Sequence, residues 1–162
     1  MNAEAFRYLY EYHFAENRSL WVHYVIPLSD EQFLRPSAYS IGSVRNQMVH
    51  LMNVDNTWFN PLCGEEVPDW LKPEDFPDRA HIRAYWDEVE RRIREYLANL
   101  RDDMLFTKPF PEGEDENLVL WQVLIHVVNH GTDHRAQVLR LIHDLEVKTP
   151  PQDFIFYVYD HP

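Results

Sequence analysis

The sequence has a single cysteine, Cys63, among its 162 residues. No intramolecular disulfide is available to it, and zinc modules built on several thiolates are excluded; a reducing compartment fits. Basic residues are also few, 15 Lys and Arg against 27 Asp and Glu for a net charge of −12, and they are scattered along the chain. Such a surface repels a phosphate backbone, so binding to nucleic acid is not expected. Long apolar runs are missing as well. The longest nearly apolar stretch, Leu118 to Val128, is interrupted by Gln122 and His126, and it falls short of the roughly 20 residues a membrane-spanning helix needs. The opening MNAEAFRYLYEYHFAEN carries acids and lacks both a basic and an apolar segment, so no signal peptide and no membrane association are expected, and the location read from it is cytoplasmic. Glycine is scarce, at 4, and the 11 prolines fall outside the strongly periodic segments. That combination favours long helices joined by proline-marked loops.

What is present is apolar and aromatic: 45% hydrophobic residues and 14% aromatic. A chain of this length is expected to form one domain over residues 1–162 that buries roughly 70% of the surface of its unfolded state. Residues 3 to 25 place Phe6, Leu9, Tyr10, His13, Leu20, Trp21 and Tyr24 at spacings of three and four, which predicts a helix closed by Pro27. After a short turn at LSDEQF, where Ser29 can cap, a second helix is expected from Ser40 or Ser43 to about Phe59, with Val44, Gln47, His50, Leu51, Val54 and Trp58 as its stripe. Asn60 to Pro77 reads as a long loop, either a lid or a packed surface segment. A third helix follows Asp78, with Ile82, Trp86, Val89, Ile93, Leu97 and Leu100 inward and EVERRIRE solvated. LFTKPFPEGEDEN has room for a short extended piece and a turn at Gly113, and the fourth helix is expected over about Asn117 to Glu146. The tail VKTPPQDFIFYVYDHP holds too much proline for a helix, but its aromatics predict that it lies against the body. Four amphipathic helices without a strand pattern point to an all-α antiparallel four-helix bundle.

The chain holds nine histidines, and on the fourth helix His126, His130 and His134 recur every four residues. Each step of four turns the side chain by only about 40°, so all three share one face. Val123, Val127, Val138 and Leu141 lie on the same face and mark it as core-facing. Random placement of nine histidines gives roughly 0.03 such runs of three, so the triplet is informative where a pair is not. His50 lies on the apolar stripe of the second helix. Bundles build metal sites by projecting side chains inward from facing helices, and a histidine pair at i, i+4 plus a third histidine from another helix offers three neutral nitrogens to one side of an ion. The opposite side stays open to water or substrate.

The string LIHVVNHGTDHRAQV, Leu124 to Val138, resembles the signature of the DinB-like family, written around HxxxHRxQ. His50 within QMVHL, the opening helix, the LSDEQF turn and the closing TPPQD are similar as well, so the resemblance covers essentially the whole chain. It implies a four-helix bundle of the DinB/YfiT-like type, often dimeric, with a divalent cation held by one histidine of the second helix and the HxxxH pair of the fourth. By position the implied ligands are His50, His130 and His134, with His126 in the pocket wall or behind the ligands. Family members commonly carry Gly where this chain has Ala136, a small departure that leaves the metal untouched. Relatives implied by the resemblance are thiol-dependent enzymes, including a mycothiol-dependent isomerase and S-transferases using low-molecular-weight thiols.

Among the remaining candidates, Asp133 reads either as a ligand-orienting group or general base, or as a solvated carboxylate. Gln137 shares the ligand face and is placed to hydrogen-bond a metal-bound water, whereas Arg135 projects away from that face and reads as a salt-bridge or partner contact. His13 reads as a pocket-lining or a satisfied core histidine, and Cys63 as a bystander. A second strip on the fourth helix, Leu124, Ile125, Val128, Leu139 and Ile142, needs cover from the tail or from a second copy, and a homodimer is the expectation. The leading reading is a metal-dependent transferase, isomerase or hydrolase of a small-molecule substrate, using one divalent ion (Zn, Ni, Fe or Mn) and a low-molecular-weight thiol or a metal-bound hydroxide. The competing reading is a non-catalytic metal-binding or stress-response bundle. A substrate-sized cleft beside the ion, roughly 300 Å³ or more, separates the two.

Overall fold

The computed structural model describes residues 1–161 and is all-helical, with no strand among them. Its α-helices are α1 (Ala3–Leu20), α2 (Asp30–Leu34), α3 (Val44–Leu62), α4 (Arg79–Ala98), α5 (Leu120–His143) and α6 (Phe154–Asp160). Side-chain oxygens at the N-caps start three of the long helices: Asn2 accepts from Ala5 N–H, Ser43 from Asn46 N–H and Asp78 from His81 N–H. Each satisfies a backbone donor that the first turn leaves unpaired. At α5 the Gln122 side chain accepts from the Val119 N–H instead.

α5 packs against both α3 and α1, and α4 packs against α3 and α1 as well, so the four long helices enclose a common core. Phe6, Tyr10, Met48, Met52, Ile82, Ile93, Leu124 and Val127 are buried in it.

Four sequence expectations are corrected. The first helix does not run uniformly to residue 25: Trp21–Val25 is a single π turn. It follows α1 directly, with Trp21 and Val25 buried and the Trp21 ring edge-on to Trp86 at 6.4 Å. LSDEQF is more than a turn, because Ser29 and Gln32 form a reciprocal capping box that supports α2. The stretch before α5 forms no strand: Asp102–Phe106 is a 3₁₀ turn, Thr107 is extended, 108–110 is irregular, and bends and turns around Gly113 run from 111 to 117. The tail does form a helix, α6, because its prolines precede the helix and break nothing inside it. It lies on α1, where Phe154 and Tyr157 meet Tyr12 at 4.9 and 5.5 Å and Tyr8 donates from its hydroxyl to the His161 carbonyl. Packing against the body is as expected.

The second apolar strip of α5 is covered by an element the sequence reading did not consider. Leu124, Val128, Leu139 and Ile142 are buried within this chain, and α1 lies against that side, with Tyr10 donating to the Leu124 carbonyl and Tyr12 beside Thr132. Among the described residues no helix is long and apolar enough to cross a membrane.

Candidate metal centre

His50 from the middle of α3 and His130 and His134 from α5 converge, with one ring nitrogen of each within 4.8 Å of the others. The Nε2 atoms of His50 and His130 are 3.0 Å apart. Two nitrogens bound about 2.0–2.1 Å from a shared ion sit roughly 3 Å apart, so this separation suits one ion between them. The rings of His130 and His134 stack at 4.2 Å, and His50 lies 4.3 Å from His134 by ring centroid. Among the described residues no fourth His, Cys, Asp or Glu joins the group.

The third ring is held from behind. His134 Nδ1 is 2.8 Å from Gln47 Oε1, and since that oxygen only accepts, Nδ1 carries the proton and Nε2 is left as the free donor atom. Gln47 in turn donates to Gln137 Oε1 at 3.1 Å, Gln137 donates to Asp133 Oδ2 at 3.0 Å, and the Ser40 hydroxyl also bonds Gln137. This is the arrangement that fixes the tautomer and angle of a metal-binding imidazole. Gln47 stands three residues before His50 on the same inward face, and a glutamine in an otherwise apolar stripe was the available sign of its role.

Burial pushes all three histidines toward the neutral form that binds metal. His50 is lowered to about 4 by desolvation and then by the neighbouring His134, and His130 to about 3 by desolvation, His134 and His50. His134 is lowered as well, again mainly by burial, with Asp133 acting against it. Neutral nitrogens close together match the needs of a divalent cation at neutral pH.

The other candidates separate clearly. His126 is exposed, wedged edge-on against Trp58 at 5.2 Å and 5.8 Å from the His130 ring, so it stands in the wall beside the ligand group. Gln137 and Asp133 belong to the hydrogen-bond chain behind His134, with Asp133 exposed. His13 is not at the centre. It is fully buried between α1 and α5, where Arg135 Nη1 donates to its Nδ1 at 3.3 Å and its Nε2 faces Asp55 at 3.3 Å.

Arg135 is the largest correction. It has no solvent exposure and donates to Asn17 Oδ1 at 2.9 Å, Thr132 Oγ1 at 3.0 Å and the Tyr12 hydroxyl at 3.4 Å, with burial drawing its pKa downward. It does project away from the histidine face, but α1 covers that side too. The spacing Val128, Thr132, Arg135, Leu139, Ile142 carried this information. Gly131 makes room for the network, because a Cβ there would lie 2.5 Å from His13 Cε1 and 3.0 Å from Arg135 Nη1. Asn53 lies on α3 one turn beyond His50. It is buried and holds Leu71 by both backbone groups, accepting from its N–H at 3.0 Å and donating to its carbonyl at 2.8 Å. That anchors the loop after α3 so that Trp70 stands 5.6 Å from His50. Trp70 itself had no periodic pattern to reveal it.

The sequence profile of the DinB family matches residues 1–161. A curated relative, Protein DinB of Bacillus subtilis (strain 168), is 23% identical over 159 residues, covering 93% of this chain and 92% of its own length. The match spans α1 to α6 and includes the three helix-borne histidines, and on it the chain belongs to the DinB family.

Proposed function

We propose that this protein is a divalent-metal-dependent enzyme in which His50, His130 and His134 hold one ion on an antiparallel four-helix bundle, leaving coordination positions open for a small-molecule substrate. The observation that carries the reading is the convergence of three neutral imidazoles with no fourth protein ligand beside them among the described residues, the pattern of a catalytic rather than a structural site. A bound divalent ion lowers the pKa of a coordinated thiol or water, which suits transfer or isomerisation with a small thiol, or hydrolysis. The chain's own contribution is to exclude water from one side of the three rings, to aim His134 through Gln47, and to keep all three unprotonated at neutral pH. Any thiol must come from outside. Cys63 caps α3 thirteen residues beyond His50, roughly 20 Å along the helix.

Elemental analysis of untagged protein is the test. Wild type is expected to carry about one equivalent of Zn, Ni, Fe or Mn, and His50→Ala and His130→Ala to carry almost none while remaining folded. Wild type without stoichiometric metal overturns the reading. The non-catalytic alternative draws on the size of the cleft beside His50, about 220 Å³, below the usual span of small-molecule sites. Turnover with a thiol substrate would exclude it. The proposed homodimer no longer rests on α5, whose back strip α1 covers. It rests on the exposed Phe154, Ile155, Phe156 and Tyr159 of α6, and a monomeric mass by light scattering at micromolar concentration overturns it.

A further inference from the structure

The cleft beside His50 lies between α3 and the loop after it. His50 is the one residue common to this cleft and to the histidine group, so a ligand seated here has direct access to the ion. The rest of the lining is apolar or chemically spoken for. Ile41, Val49, Trp70, Leu71 and Pro73 supply carbon surface. Asn53 spends its amide on the Leu71 backbone, and Asn46 spends its own on the Ile41 carbonyl and the Ser43 hydroxyl, at 3.1 and 3.0 Å. Arg45 and Glu74, which flank Asn46 and Pro73 in sequence, pair with each other at 3.4 Å. No charged side chain lines the cleft. Two large apolar side chains nevertheless stand partly in solvent at this place, Trp70 at 53% and Ile41 at 40%, which is surface that gains by being covered. A 150 Å³ apolar cavity accepts benzene, so about 220 Å³ accommodates one ring or a short branched chain.

We infer that this cleft is the specificity pocket of the metal centre and that it takes an uncharged apolar group of one-ring size, stacked on Trp70, from a ligand whose donor atom occupies the open position beside His50. The inference rests on the proposed metal centre and adds the class of ligand it accepts. Trp70 is positioned for this by Asn53, which fixes the loop at the next residue.

The test uses full-length protein loaded with Co(II), whose visible spectrum reports a new ligand, titrated with acetohydroxamate and with benzohydroxamate. These share a metal-binding head and differ in a methyl or phenyl group. In wild type the phenyl compound is expected to bind about tenfold more tightly, the value of burying one ring. In Trp70→Ala, which removes the stacking wall, and in Ile41→Trp, which fills the cleft, that advantage falls below about threefold while the affinity for acetohydroxamate stays within about twofold. A phenyl advantage that is absent in wild type, or unchanged in both variants, overturns the pocket and leaves the metal centre standing. A Co(II) spectrum that neither compound perturbs removes the open position and the pocket together. Failure to bind Co(II) removes the metal centre itself.

Discussion

Two polar clusters, one with a single histidine and one with three, lie on different sides of α5, and they solve different problems. On one side His13, Arg135, Asn17 and Asp55 form a closed set in which His13 has a partner at each ring nitrogen and Asp55 also accepts from Trp86 Nε1 at 3.0 Å. On the other side His50, His130 and His134 face one another, and only His134 has a fixed protein partner behind it, Gln47. Both clusters sit within a bundle core, where unsatisfied polar groups are costly. In the first both histidine nitrogens have protein partners, while Arg135 Nε is left unpaired; the second directs its lone pairs at a shared point. A histidine in the core therefore announces its role by its second nitrogen: where both have partners the ring is packing, and where one is held and the other converges with its neighbours it is free to take a metal ion.

The sharpest way to break the contrast is Asp55→Ala. It removes the acceptor shared by His13 and Trp86 and takes from the buried Arg135 one of two supporting carboxylates, the other being Glu16, so about 3–5 kcal/mol of stability is expected to be lost in urea denaturation. A loss below about 1 kcal/mol would mean the two clusters do not differ in kind. Gln47→Ala addresses the other side. Removing the partner of His134 Nδ1 is expected to weaken metal affinity by about 10–100-fold in competition with a chelator, with a loss of about 1–3 kcal/mol in the stability of metal-free protein because a buried N–H is left unpaired. The smallest effect concerns pH. Unfolded histidines take up protons near pH 6.5, whereas His130 and His50 in the folded chain do so only at about 3 and 4. Between those limits the unfolded state binds more protons, so the metal-free protein loses stability as pH falls below about 6.5. The urea midpoint of metal-free wild type should drop between pH 7 and 4.5, and that of His130→Ala should drop less; equal slopes would remove desolvation as the cause. Screening at these half-buried rings keeps the difference small.

Much of this was legible in the chain. The four long helices followed from periodicity and caps, and Asn2, Ser43 and Asp78 start theirs as oxygen-bearing residues should. His50 and the pair on α5 came together because the helical stripes that carry them face the same core. Other features were illegible for physical reasons. α6 is too short for a period to show, and it exists through contacts with Tyr8 and Tyr12 some 145 residues away. Trp70 stands in a loop whose placement depends on a side-chain-to-backbone clamp. Arg135 was misread because charge argued for the surface, yet it sat on a spacing that argued for the core. Where pattern and polarity disagree on a helix that is covered from several sides, the pattern decided.

The absence of a side chain at Gly131 lets His13 of α1 press onto α5, with the Arg135 side chain folded back beside it, one residue after His130 and three before His134. The helix is thereby fastened at the very turn that bears the ligands, and every fastening is made of protein. Assembly of the scaffold and arrival of the ion are then separate events. A site organised this way would let one metal leave and another enter without unfolding, so any occupant would be set by what is supplied and not by the needs of the fold.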